Sequence, residues 1–579
     1  MKMDLRPAFT AALLLTTFHL YAAPAVSTGH GGAVATVSEQ ASQAALHILD
    51  QGGNAIDAAV AAAATLGVTD PFSCGIGGGG FMLIYSAAND KVISIDHRET
   101  APAYFHSEIF QQDGVAMEWK DTVANGISVG VPGTVLGWQE ALNRYGTMNF
   151  EQLLAPAIKV AEDGFKLSEN FHRINQLNEG KFSRFSTASQ LYLKDGKAHP
   201  VGSHFSNPDL ANTYRAIAAG GAKAFYEGDI AKDIVAAVNQ PPVSTGTRVL
   251  AGSMTLNDLK DYEVRIRQPI HSTYRGYDVY GMAPPSSGGI AIAQALNLLE
   301  TFDLAKLSRA EVEHLYLEAS RLAFADRNAY VADSEYTDVP VAGLLSKDYA
   351  KERAKLMGEK ASGNREPGDP FVYQDDPSVP LRPSNATLGQ ESAHTTHLAV
   401  SDREGNVVAY TFTIEAWGGS GIVVPGRGFL LNNELTDFDF SAPHPNVPEA
   451  YKRPRSSMSP TIVLQDGKPA FTIGSPGGST IITTVLQTMV NHIDLGMSLA
   501  DAVDAPRLSQ RNGDTTLVET LLEFPGSEQA TALQALGHRF AETDQIGAAN
   551  GIVFNDDGTV TAVSESKRHG VGTALVQKQ

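Results

Sequence analysis

The sequence predicts an α+β sandwich in which helices cover antiparallel sheets, and two observations carry that prediction. Strand-forming runs come in hairpin pairs: Thr396 to Asp402 with Asn406 to Thr413 about Arg403-Glu404-Gly405, and Thr461 to Leu464 with Ala470 to Gly474 about Asp466-Gly467. A further hairpin is predicted over Gly551 to Val563 around Asp557-Gly558. The helical patterns pack against such hairpins rather than crossing between parallel strands, which argues against a wound βαβ sheet. At 579 residues the chain allows several ordinary domains or one large layered one.

Taken in order, Lys2 and Arg6 precede a mostly apolar run from Ala8 to Tyr21 and then Ala23-Pro24-Ala25, small residues of the kind a signal peptidase accepts. Residues 1–25 therefore read as a removable secretory signal. The competing reading, a membrane anchor, is weakened by Thr10, Thr16, Thr17 and His19, which break the run below the ~20 apolar residues a span needs. A periplasmic or secreted protein without a membrane anchor is expected. A strand follows at Ala33 to Ser38, helices at Glu39 to Asp50 and Ala55 to Leu66, and a strand at Phe81 to Tyr85. Helices are predicted at Phe150 to Asp163, Ile290 to Thr301, Ala310 to Tyr330 and Ser479 to Ile493. From about residue 362 to the 390s the composition turns to Gly, Pro, Asp, Asn and Ser without periodicity, an exposed linker.

A net charge of -20 and a pI near 5.2 exclude a basic nucleic-acid or anionic-lipid binder as the default reading. Cys74, the single cysteine, offers neither an internal disulfide nor a thiolate cluster, and no metal or other cofactor is expected. The run Gly75 to Gly80 fits G-x-G-x-x-G, but a strand follows it where a dinucleotide fingerprint needs a helix. Close backbone packing behind a buried strand is the better explanation. His394 and His397 are spaced H-x-x-H in a strand context, where positions three apart point to opposite faces, so a shared metal is not expected.

The junction of linker and strand at His394-Thr395-Thr396 has a chemical use. A hydroxyl there can attack the preceding peptide bond, and the cut leaves Thr395 with a free α-amine beside its own Oγ. With a pKa near ~7.7 to 8 that amine can serve as general base to the hydroxyl. By itself a threonine pair opening a strand is more often only a β-former. Gly474-Ser475-Pro476-Gly477-Gly478-Ser479 joins a strand to a helix, and the Gly477 and Gly478 amides suit an oxyanion hole, or else a tight turn. Arg98 could clamp a carboxylate, Ser456 and Ser457 could hydrogen-bond one, and Glu434 and Asp437 could hold an ammonium. Each has a plainer structural reading when taken alone.

Together and in this order, GGNAIDAAVAAAATLGV, GGGGFMLI, DHRETAP, VPGTVLGW, PPSSGG, HTTHLAVSD, LLNNELTDF, SSMSPTIV and GSPGGSTIITTVLQ resemble the γ-glutamyltranspeptidase (glutathione hydrolase) family of N-terminal-nucleophile enzymes. The resemblance implies a four-layer αββα fold made as one precursor, cut between His394 and Thr395 into a large subunit, 26–394, and a small catalytic subunit, 395–579. It implies that Thr395 is the nucleophile, that Thr413 hydrogen-bonds to it, and that Gly477 and Gly478 form the oxyanion hole. By the same likeness Arg98, Ser456 and Ser457 hold the α-carboxylate of a γ-glutamyl donor, and Glu434 and Asp437 its α-ammonium. Two departures stand out. Thr413-Ile414-Glu415 carries glutamate where the family usually has asparagine at an ammonium contact, and only eighteen residues separate Asp437 from Ser456, which predicts an open pocket.

The expected activity is γ-glutamyl transfer from glutathione or similar donors, through a Thr395 ester, to water, amino acids or dipeptides. The alternatives are a glutaryl or cephalosporin-type acylase, kept in view by Glu415, and a catalytically silent binding protein of the same fold. The acylase would leave clustered acids without a compensating ammonium.

Overall fold

The computed structural model describes residues 24–374, 394–568 and 572–578. The expected signal, apart from Pro24 and Ala25, and the linker from 375 to 393 lie outside the described residues. Two seven-stranded sheets form the centre. One runs in the order Arg265–Arg267, Lys91–Asp96, Gly79–Ser86, Val407–Thr413, Thr396–Ser401, Ala33–Thr36 and Thr573–Val576. The other runs Ala25–Gly29, Val560–Ser564, Asn550–Phe554, Lys468–Gly474, Thr461–Gln465, Tyr277–Gly281 and Ile270–Tyr274. Neighbours pair antiparallel throughout both.

The residue types explain the layering. Helices Glu39–Asp50 and Ala55–Thr69 are alanine-rich, so they lie close on the first sheet, where their apolar faces meet Leu398, Val400, Val408 and Tyr410. Small residues, Ala33, Ala35, Ala399, Ala562 and Ala574, fill part of the seam between the sheets around Ile552. On the far side Gly288–Leu299, Arg309–Tyr330 and Thr480–Ile493 bury Leu296, Leu317, Val485 and Leu486 against the second sheet's Phe471 and Ile473. The result is a four-layer αββα arrangement, the predicted α+β class.

Most predicted elements are present. Glu39–Asp50 and Phe150–Asp163 have the expected ends, each opened by a side-chain cap, Ser38 and Asn149. Others were not foreseen. The hairpin Ile270–Tyr274 to Tyr277–Gly281 turns at Arg275 and Gly276, with φ of 51° and 87°, in a stretch for which no element was predicted. Ala25, the last residue of the expected signal, opens a strand that pairs with Val560–Ser564. Of the expected linker, the described part up to residue 374 contains a short 3-10 turn at Pro370–Tyr373.

Candidate active site

Strand Val407–Thr413 pairs Thr396 with Phe412, which sets Thr413 beside the start of the neighbouring strand. Thr395 Oγ lies 3.2 Å from Thr413 Oγ and 2.5 Å from the carbonyl oxygen of His394. The Thr413 hydroxyl is 3.1 Å from that same carbonyl and accepts the Glu415 amide at 2.9 Å. With one proton per hydroxyl, a consistent set has Thr395 donating to Thr413 and Thr413 donating to the His394 carbonyl. The chain is continuous here, so the Thr395 nitrogen is a peptide amide standing where a free α-amine would be after a cut. The His394 ring stacks on Trp417 with centroids 3.5 Å apart.

The glycine run explains how this corner closes. A Cβ on Gly78 would sit 1.9 Å from the Thr413 carbonyl oxygen, and one on Gly77 2.0 Å from that of Leu430. Close backbone packing is thus the role of these glycines, and the strand Gly79–Ser86 follows them directly.

A small cavity of about 20 Å³ is lined by Arg98, Thr395, Thr413, Glu415, Glu434, Asp437, Ser456, Ser457 and Gly478, with His394, Met458 and Ile481. Of the predicted site residues only Gly477 is not in that lining, and it adjoins Gly478. That is far below the ~300 to 1,000 Å³ of drug-sized sites, a narrow space rather than a wide pocket. The segment between Asp437 and Ser456 folds on itself: Asp439 lies 3.0 Å from His444 and accepts from Asn446 at 2.9 Å. A much larger open cleft, between helices Glu39–Asp50 and Phe150–Asp163, contains none of the predicted residues.

Arg98 is buried and reaches four partners. Its Nε donates to Pro454 O at 3.1 Å, and its terminal nitrogens donate to Arg455 O at 2.8 Å, to Asp437 at 2.6 Å and to Glu434. The guanidinium therefore bridges the two carboxylates, which keeps it charged. Glu415 sits at a φ of 76° and accepts from Asn433 Nδ2. Half-buried Lys181, whose ammonium donates to Trp417 O and Gly419 O, is held near pH 8 by desolvation, with the Glu415 charge pulling it upward. Glu415 thus has its own cationic neighbour, and Arg98 serves the other two acids.

Ser456 and Ser457 are set by the Pro284-Pro285-Ser286-Ser287 turn: the Ser456 amide donates to Pro285 O at 2.9 Å and the Ser287 hydroxyl to Ser456 O at 2.7 Å. Arg327 donates to Ser287 Oγ at 3.0 Å and to Ser457 Oγ at 2.7 Å, so it orients both. Gly477 and Gly478, at φ of 139° and 54°, lead into helix Thr480–Ile493. Such backbone angles favour glycine and turn the amides out of the strand path.

Sequence reasoning missed Glu99, Lys181 and Arg327. Glu99 adjoins Arg98, is fully buried, and is pushed well above the usual carboxylate range by burial and then by the Glu434 charge. Burial and the Glu434 charge therefore favour its neutral form. Its place in the same motif as Arg98 was the available signal. His394 and His397 have different surroundings: His397 is buried, meets Thr411 Oγ at 2.8 Å, and is lowered to about 3 by burial under Gly474.

The sequence model of the gamma-glutamyltranspeptidase family matches residues 41–575. The chain is 39% identical over 560 residues to the glutathione hydrolase proenzyme of Bacillus subtilis (strain 168), covering 96% of this chain and 93% of that protein. It is 36% identical over 561 residues to the Acylase ACY 1 proenzyme of Pseudomonas sp. (strain SE83), covering 95% and 94%. Among solved structures, the cephalosporin acylase from Bacillus halodurans superposes with a TM-score of 0.85 at 28% identity, covering 98% of this chain and all of that one.

Proposed function

The chain belongs to the γ-glutamyltranspeptidase family, and from that premise we propose an exported enzyme that cuts itself between His394 and Thr395 and then transfers γ-glutamyl groups from glutathione and related donors. The observation that carries this reading is the charge pattern of the cavity beside Thr395: Glu415, Glu434 and Asp437 against Arg98, with two serine hydroxyls. With Glu415 matched by Lys181, Glu434 and Asp437 still face a single guanidinium and accept an ammonium more readily than another anion, and Arg98 with the serines can take a carboxylate. An α-amino acid head group satisfies both.

Self-cleavage uses the same atoms. Thr395 Oγ attacks the His394 carbonyl carbon, whose oxygen is polarised by the Thr413 hydroxyl, and the amide shifts to an ester that water hydrolyses. The freed α-amine then takes the proton of Thr395 Oγ as that oxygen attacks the donor's γ-carbonyl, and passes it to the donor's amide nitrogen as that C–N bond breaks and the amine leaves. The Gly477 and Gly478 amides receive the developing oxyanion, and Thr413 orients the nucleophile. The γ-glutamyl ester passes to water or to an amine.

The acylase reading keeps one observation in its favour. Glu415 is already matched by Asn433 and Lys181, so it does not itself demand an ammonium. Glu434 and Asp437 share Arg98, and an added carboxylate at that guanidinium would leave them undercompensated, which favours the γ-glutamyl donor. The test is to quench purified enzyme during turnover of a γ-glutamyl anilide and map its peptides. A γ-glutamyl adduct on the peptide beginning Thr395-Thr396-His397 is expected; an adduct elsewhere, or an uncut chain that turns the donor over, would refute the mechanism.

A further inference from the structure

His394, the residue before the bond proposed to be cut, is held at two points. Its ring lies on that of Trp417, with centroids 3.5 Å apart and planes 16° from parallel. Its carbonyl oxygen meets Thr395 Oγ at 2.5 Å and Thr413 Oγ at 3.1 Å. The stack therefore fixes the side chain of the residue whose carbonyl is to be attacked.

Trp417 is itself set firmly in place. It sits in the turn that follows strand Val407–Thr413, between Glu415 at a φ of 76° and Gly418 and Gly419 at 74° and 53°. The Ala416 amide donates to Asn433 Oδ1 at 3.0 Å and the Gly418 amide to Phe72 O at 2.7 Å. A Cβ on Gly418 would come within 2.7 Å of the Phe182 ring, so the turn is pressed against the short helix Glu179–Phe182. From that helix Lys181 donates to Trp417 O at 2.5 Å and to Gly419 O at 2.9 Å. From helix Glu169–Leu177 the Arg173 guanidinium lies 5.2 Å from the centre of the indole, within cation–π range. Backbone bonds, a lysine and an arginine thus hold one indole where the His394 ring meets it.

We propose that Trp417 is a positioning residue for self-cleavage, a shelf that keeps the His394 carbonyl in reach of the Thr395 hydroxyl. The inference rests on the self-cleavage reading above. In that step the bond from Thr395 Oγ to the His394 carbonyl carbon forms and the C–N bond between the two residues breaks. The hydroxyl proton ends on the Thr395 nitrogen, and the His394 ring neither gains nor loses one. Rotation of the His394 backbone would swing the carbonyl away from both hydroxyls, and stacking on a fixed indole opposes that rotation. Trp417 follows Thr413 on the same chain segment, so the shelf and the hydroxyl that polarises the carbonyl keep their spacing.

The test follows the cut on a denaturing gel, with each variant made as the full chain by cell-free translation. Trp417→Ala and His394→Ala should each slow cleavage about tenfold. Trp417→Phe and His394→Phe keep a ring in the stack and should stay within about threefold of wild type. The double variant Trp417→Ala/His394→Ala should be no slower than either single one, because both changes remove the same contact. A merely structural loss at Trp417 would instead multiply with the loss at His394. If wild type is cut while His394→Ala keeps its rate, His394→Phe is as slow as His394→Ala, or the losses multiply, the shelf falls and the self-cleavage reading stands. If wild type is not cut, both fall.

Discussion

At the scale of single residues, the proposed chemistry rests on Thr395 and Arg98, and Glu99 is buried next to Arg98. Thr395→Ala removes the attacking oxygen, so the purified variant should run as one chain on a denaturing gel and turn over no donor. Arg98→Lys keeps the charge but loses the fork that spans Glu434 and Asp437. Losing one or two charge-assisted bonds of ~1.5 to 3 kcal/mol each should raise donor KM at least tenfold, while self-cleavage, measured on the gel, survives. Glu99 makes a prediction about pH. Its folded carboxyl titrates well above the ordinary value, so the folded state binds a proton that the unfolded state releases above about pH 4.5. The associated stability is present at low pH and lost as pH rises towards the folded pKa. Glu99→Gln carries a permanent hydrogen-bond donor towards Glu434, so the Tm of the variant relative to wild type should climb as the pH is raised; a pH-independent difference would mean that Glu99 is ionised.

At the scale of elements, the corner where Gly75 to Gly80 meets the end of strand Val407–Thr413 holds the backbone beside the proposed nucleophile. Gly78→Ala would drive a methyl group into the Thr413 carbonyl. Relief requires moving that strand end, at an overpacking cost of ~1 to 3 kcal/mol. A time course of self-cleavage should slow by an order of magnitude or more, with a lower Tm. Much of this corner is legible in the sequence, because the proposed catalytic and binding groups sit in short motifs: Thr395 and Thr413 on one hairpin, Glu434 and Asp437 in one turn, Gly477 and Gly478 in another. What orients them is not local. Arg327 lies 130 positions from Ser457, and nothing in its helix distinguishes it from a surface arginine. Glu99 is written as a charged residue, although burial pushes its carboxyl well above the usual range, towards the neutral form. The Arg275-Gly276 hairpin was missed because its turn lacks the Asn-Gly or Asp-Gly dipeptide and depends on an arginine held at positive φ.

At the scale of the whole molecule, the layered class follows from hairpin pairs between helical runs, but strand order cannot be read that way. Strand Thr396–Ser401 lies between its hairpin partner and Ala33–Thr36, more than 360 residues away in sequence. This order has a consequence for maturation. A cut at Thr395 would leave both sheets containing strands from both products, with Ala33–Thr36 and Gly79–Ser86 bonded to strands of the small one. The two chains should therefore co-elute on size exclusion under native conditions and separate only in denaturant; spontaneous separation would contradict the shared sheets. Together the layers hold Thr395 beside a cavity whose acids exceed its cations, and the central claim is that this pattern selects an α-amino donor. The direct measurement is kcat/KM for γ-glutamyl and glutaryl donors of one leaving group, on processed wild type and on Glu415→Asn. Wild type should prefer the γ-glutamyl donor at least tenfold, about 1.4 kcal/mol, and Glu415→Asn should retain that direction. A wild type that prefers the glutaryl donor, with Glu415→Asn shifting towards the γ-glutamyl one, would contradict it and make this enzyme an acylase.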